Sequence, residues 1–275
     1  MTDATARSAR RVVPSADAAL RGAAILWFCV AAVGQLAFIV FIALFYGPST
    51  VLGHFEAWNE KPLITGYVAG DTAGNLMFGV HVLLAAVMTA AGLLQLVPTI
   101  RRRAPRLHRW SGRVFLTLAV TMALGGLWLV WGRGTYLTLA GAISISMDAA
   151  LILLFAALTL RYAIARRIDR HRRWALRLFM VGSGVWFQRV GYMAWILING
   201  APVGIGPRMS GPFDIAWGFG QFLLPLAMLE LYLLASARGV AGPLKAGMAA
   251  LLVTMTGVMA VGIFGAIMGM WLPYL

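Results

Sequence analysis

The sequence predicts an all-α fold: a polytopic membrane bundle of seven transmembrane helices, N-terminus cytoplasmic, with two repeated helical hairpins. Three observations predict it. The 275 residues are 61% hydrophobic and only 12% charged, against roughly 45–50% and about 25% in a soluble domain. Seven apolar runs each provide the ~20 residues that a ~30 Å hydrocarbon core requires. Basic residues collect in alternate loops. This pattern excludes a soluble enzyme and a disordered tail protein. A disulfide scaffold is excluded as well, since Cys29 is the single cysteine and has no partner in the chain. The net charge of +14 reads as loop charge facing lipid headgroups, so no nucleic-acid partner is expected.

Residues 1–20, rich in Ala, Ser and Arg, read as a disordered basic tail, and 21–275 as a single seven-helix transmembrane domain. The spans are expected at 22–46, 76–99, 111–132, 139–163, 175–198, 215–237 and 247–271. Irregular backbone in lipid would leave peptide groups unpaired, so each is expected to be an α-helix. The first run is too long for a signal-peptide core of roughly 7–15 residues. The 47–75 loop is too short for a core of its own, and its Trp58 and Tyr67 read as interfacial anchors. Pro225 is expected to kink the sixth span.

Orientation follows from the basic residues. The N-terminal tail has four, the loop after the second span six, after the fourth seven and after the sixth two, so 19 of the 23 Lys and Arg share one side. The other side has Lys61, Arg133 and Arg208, and Arg189 lies within a span. The positive-inside rule then places the N-terminus in the cytoplasm and the C-terminus outside. A multi-pass protein of a bacterial cytoplasmic membrane is the expected setting.

Two basic loops repeat at an offset of 64 residues. Arg102, Arg103, Arg106, Arg109, Trp110, Arg113 and Phe115 recur as Arg166, Arg167, Arg170, Arg173, Trp174, Arg177 and Phe179. Spans two–three and four–five therefore read as two parallel hairpins. With His108 and His171, these Arg and Trp residues form the expected cytoplasmic rim. Indoles there lie at headgroup level and guanidiniums meet lipid phosphate, which makes anionic lipid headgroups the expected partners.

The segment His81 … Gly92-Leu-Leu-Gln95 … Arg103 … Leu107-His108-Arg109-Trp110-Ser111-Gly112-Arg113 resembles the first signature of the polytopic membrane family catalogued as domain of unknown function 2306. His171-Arg172-Arg173-Trp174, Arg177, Arg189 and Glu230 resemble its second half. The resemblance covers about residues 75–235. It implies the fold and singles out these polar residues, and it implies no reaction.

Polar residues at membrane depth are the candidate site. At 1.5 Å per residue, Asp148 and Arg189 each lie about 14 Å from the outer end of their spans. An unpaired charge there costs at least ~2.5–3.5 kcal/mol, so the two are expected to pair. Ser144 and Tyr192, one turn away, are expected to complete their hydrogen bonds. Glu230 lies nearer the cytoplasmic face, within reach of Arg113 and Arg177, either as a structural clamp or as a proton acceptor. His81 and Gln95 complete the expected ligand or proton network.

The leading functional reading is a binding or transport module for protons or a small polar or lipid-like ligand, rather than an enzyme: no Ser, Cys or HExxH constellation is present. No cofactor is expected under it. The alternative is a redox protein carrying b-type haem on His81, His108 and His171, with His54 as a fourth histidine. Gly265 and Gly269, four apart in the last span, would allow close helix packing within the fold or between copies in a homo-oligomer.

Overall fold

The computed structural model describes residues 15–61 and 64–275. Arg7, Arg10 and Arg11 of the expected tail lie outside them. Nine α-helices carry the described chain: α1 (Ala16–Val51), α2 (Thr72–Leu96), α3 (Pro98–Arg103), α4 (Pro105–Leu127), α5 (Leu139–Ile164), α6 (Ile168–Gly182), α7 (Gly184–Asn199), α8 (Pro212–Ala235) and α9 (Gly242–Ala266). A turn of π-helix extends α4 through Gly132 and another extends α9 through Trp271. Six helices are long and apolar enough to cross a membrane: α1, α2, extended α4, α5, α8 and extended α9.

The tail boundary shifts. Helix α1 begins at Ala16, capped by the Ser15 hydroxyl, which accepts from the Ala18 N–H. Residues 16–20 are therefore helical. A 36-residue helix measures about 54 Å and outruns the apolar run read from sequence at both ends. Its buried residues, Ala31, Gly34, Gln35, Phe38, Phe41, Ile42 and Phe45, recur every three or four positions and form one inward stripe.

The region expected as the fifth span is divided. Helices α6 and α7 follow one another with only Ser183 between them, and each alone is too short to cross. The sequence there is Gly182-Ser183-Gly184, and Gly/Ser steps are common sites of helix breakage. Both glycines let side chains of neighbouring helices come close. A Cβ on Gly182 would stand 3.0 Å from Met88 Cε, and one on Gly184 2.6 Å from Asp148 Oδ2.

Helices α1, α2, α4 and α5 pack in chain order, α8 packs on α5, and α9 closes against α1. The α6–α7 pair lies inside this arrangement. Helix α6 packs on α5 and α8, helix α7 on α8 and α9, and Leu178 and Val181 are fully buried. Gly265 and Gly269 face Met193 and Leu197 of α7 in the same chain. The small-residue stripe thus serves close packing within the fold. Asp17 of α1 pairs with Lys245 of α9 at 2.6 Å, joining the starts of the first and last long helices.

The connection between α1 and α2 packs more than the sequence suggests. Trp58 is buried against Phe55 and Phe78, beside Leu129. It is a core residue of a small cap rather than a free interfacial anchor. Close approach makes that core: Cβ atoms on Gly66 and Gly79 would each stand 2.7 Å from the Trp58 side chain. Tyr67 stacks on Phe55 at the edge of the same cap.

Candidate functional site

At the basic end of the bundle, both hairpin repeats build the same local motif. Arg113 stacks over Trp110 at 5.1 Å and Arg177 over Trp174 at 4.6 Å, as the three-residue spacing on one helix face dictates. The repeats then diverge. Arg177 grips Glu230 through two hydrogen bonds of 2.6 and 2.7 Å, Nε to Oε1 and Nη2 to Oε2. This ties α6 to α8. Glu230 is clamped by Arg177 alone; Arg113 stays on its indole. Trp110 is exposed, while Trp174 packs on Phe155. Arg109 and Arg173 are exposed at this end.

Gln95 belongs to this end and not to a mid-membrane network. Its Nε2 donates to the His108 carbonyl at 3.0 Å and to Ser111 Oγ at 2.6 Å, pinning the end of α2 to the start of α4. His171 Nδ1 lies 3.0 Å from the Thr159 carbonyl. His108 and His171 are both at this end, whereas His81 stands on α2 beside Gly125 and Gly126 of α4. The three histidines are not brought together. Among the described residues, no cluster of three His, Cys, Asp or Glu could hold a metal ion.

Mid-bundle, the expected Asp148–Arg189 ion pair does not form. The two side chains leave the α6–α7 crossing on different sides. Asp148 on α5 meets Gly184, and its Oδ1 is buried without a hydrogen-bond partner. Arg189 turns toward α1, where its guanidinium lies 5.3 Å from the Phe38 ring centre and donates to the Val185 carbonyl at 2.8 Å. From Gly184 to Arg189 is five residues, about 140° of helical rotation, which accounts for the separation.

The two expected helpers are also engaged elsewhere. Ser144 Oγ donates to the Gly141 carbonyl at 2.9 Å. The Tyr192 hydroxyl donates to Asp214 Oδ1 at 2.7 Å. Asp214 also accepts from the Gly206 and Gly211 amides at 2.8 and 2.7 Å. This acid, three residues into α8 behind Pro212, is a helix-start signal whose structural role the sequence reading missed.

Two further buried side-chain oxygens of the bundle, on α1 and α8, also lack donors. Gln35 donates its Nε2 to Ser183 Oγ at 3.1 Å, leaving its Oε1 buried and unpaired. Gln221 donates to the Gly218 carbonyl at 2.8 Å and likewise leaves Oε1 unpaired. A Cβ on Gly218 would stand 3.2 Å from Ser144 Oγ, so α5 and α8 are in close contact at this level. Gln35, Gln221 and Asp148 are at most 7% exposed.

The end opposite the basic loops holds a second polar assembly, also missed from sequence. Arg133 Nε pairs with Asp71 at 2.8 Å, its Nη2 donates to Asn75 at 2.8 Å and its Nη1 to the Gly66 carbonyl at 3.1 Å. A cavity of 340 Å³ opens here, lined by residues that include Asp71, Arg133, Tyr136 and Arg208.

Lys61 reaches inward from the cap. Its Nζ donates to the Met270 carbonyl at 2.7 Å and lies 4.7 Å over Phe41 and 4.6 Å over Tyr274. Burial first, and the Arg189 charge second, lower its pKa to about 8. The neutral amine is the nucleophile, and its fraction grows as pH rises through that value. Acylation of Lys61, followed by peptide mass spectrometry, is therefore expected to rise with a midpoint near that pH. A midpoint in the ordinary lysine range, about 10.4, would contradict the placement.

No curated protein and no solved structure matches the chain at a significant level. Residues 78–208, which include Arg133, Asp148 and both Arg-Trp loops, match the model of the DUF2306 family, described as predicted membrane protein.

Proposed function

We propose that this membrane protein is a binding or transport module in which Asp148 is a proton-carrying group. The observation behind the reading is the unpartnered Asp148 Oδ1, buried beside the break between α6 and α7. An uncompensated carboxylate at membrane depth costs at least ~2.5–3.5 kcal/mol, and no cation of the described chain compensates it. A bound proton does. Interrupted helices at mid-membrane are a recurring way to build such sites in transporters. Gln35, Ser183 and Gln221 supply further oxygen atoms for a small polar ligand.

In this reading α6 and α7 together make a seventh crossing. The basic end faces the cytoplasm of a bacterial cell, because the sequence assigns 19 of the 23 Lys and Arg to the tail and loops of that side. Anionic headgroups gather at the exposed Arg109 and Arg173.

Infrared difference spectra of the full chain across a pH jump test the proton site. A carboxylic-acid carbonyl band that disappears in Asp148→Asn is the expected result. Identical spectra for the two proteins would remove Asp148 from the reading. Topology has its own test. In intact cells, an impermeant thiol reagent is expected to reach a cysteine placed at Gly53, and one at Ala104 only after permeabilisation. The reverse pattern would invert the orientation.

A further inference from the structure

Two cations on the other side of α7 have no counter-ion. Among the described residues, no carboxylate lies within salt-bridge distance of Arg189 or Lys61. The acids of the cap nearest in sequence, Glu56 and Glu60, are exposed to solvent. The hydrogen bonds the two cations make to side chains or backbone are one each, to Val185 and Met270 carbonyls. An arginine has five N–H donors and a lysine three, so most of their donor capacity is unspent.

The two cations belong to one aromatic cluster. Arg189 lies on Phe38 and Lys61 on Phe41, and Trp271 contacts both rings, at 5.5 and 6.3 Å. Trp271 is 2% exposed, and its Nε1–H is buried without an acceptor. The cluster thus carries three donors with unused capacity, a guanidinium, an ammonium and an indole N–H, together with Tyr46 on Phe41 and Tyr274 on Phe45. Val185, one turn away on the same side of α7, is 49% exposed although Gly184 and Trp186 flanking it are buried.

We propose that Arg189 and Lys61 together bind an organic anion. Its charged oxygen group, a carboxylate or a phosphate, bridges the guanidinium and the ammonium, and its apolar part lies along Phe38 and Val185. Two like charges in an apolar setting repel and lose hydration. A shared anion removes both penalties and uses the idle donors, and charge-assisted hydrogen bonds of this kind are the strong ones. The same chemistry is offered by a free small acid and by a lipid headgroup. The site is separate from Asp148, so the two assignments stand or fall independently.

The test uses the full chain purified in dodecyl maltoside, an uncharged detergent without phosphate. Benzoate and inorganic phosphate are titrated calorimetrically, and dioleoylphosphatidylglycerol binding is followed by native mass spectrometry. At least one probe is expected to bind saturably, about ten-fold or more weakly in Arg189→Gln and in Lys61→Gln, as loss of one charge-assisted hydrogen bond requires. Arg238→Gln, an exposed arginine between α8 and α9, is expected to bind as the wild type does. Binding of benzoate or phosphate assigns the site to a free anion, and binding of the lipid alone assigns it to a headgroup. In either case the lysine acylation midpoint of Lys61 should move upward with ligand present. Absence of saturable binding by every probe, or affinity unchanged in Lys61→Gln, overturns the proposal. Lys61 lies outside the helices, so its variant keeps the test intact should Arg189→Gln not fold.

Discussion

Gly262→Ala is expected to lower the thermal midpoint of the detergent-solubilised protein more than any other single methyl added to α9. The new Cβ would press on the Val190 carbonyl oxygen, with Val190 Cγ1 at 2.8 Å and Ala194 Cβ at 3.0 Å. A flexible side chain can swing away from such a clash, but a backbone oxygen of α7 cannot. Overpacking costs typically ~1–3 kcal/mol, and this position belongs at or above the upper end. Because α7 is held by α8 and α9, prying it from α9 also disturbs the Arg189 side of the crossing. Gly257→Ala is the control. Nothing lies within 4 Å of its added Cβ, and alanine in an open helix position is favoured over glycine by about 1 kcal/mol. Opposite shifts for two identical chemical changes on one helix are the expected result. Parallel shifts would mean that α7 and α9 are not in close contact.

The second large effect concerns Arg177 and Glu230. Hydrogen bonds to charged groups contribute about 1.5–3 kcal/mol each when water is excluded. Glu230 is 40% exposed at the side chain and Arg177 18%, so the lower end of that range applies. Arg177→Gln and Glu230→Gln are each expected to destabilise by about 2 kcal/mol, since each leaves its partner uncompensated. The double variant should cost clearly less than the two singles together. Arg113→Gln is expected to do little, because its guanidinium rests on Trp110 and pairs with no acid. Additive costs in the double variant would mean that the pair is not formed in the bilayer.

The fold was legible because its signals are long. Apolar runs above twenty residues leave few options in lipid, and the Arg-Trp repeat survives as a real local motif in both loops. The exceptions have physical causes. The α6–α7 region reads as one run because hydropathy sums over Ser183, whereas a helix break depends on two glycines admitting Met88 and Asp148. Trp58 reads as an anchor because a 29-residue loop looks coreless; its burial depends on Phe78 and Leu129, contributed by helices.

The candidate site was half legible. Depth singled out Asp148 and Arg189, but depth carries no azimuth, and the pairing failed on the angle between them around the crossing. Tyr192 was lost to Asp214 for a related reason. A capping acid satisfies its own helix start first, and only the fold brings the tyrosine to it. Arg133, counted from sequence as a loop charge, anchors the cap through Gly66, Asp71 and Asn75, all more than fifty residues away in the chain.

On the proposed proton-carrying reading, the depth of Asp148 has an electrical consequence. One elementary charge crossing the whole bilayer gains or loses ~2.3 kcal/mol per 100 mV, so a proton stopping near the midplane exchanges about half of that. Loading Asp148 from one side is then aided by the membrane voltage and loading from the other is opposed. Even with no net transport, a voltage step across the reconstituted protein should move a small, saturable displacement charge, absent in Asp148→Asn, as protons settle to a new occupancy.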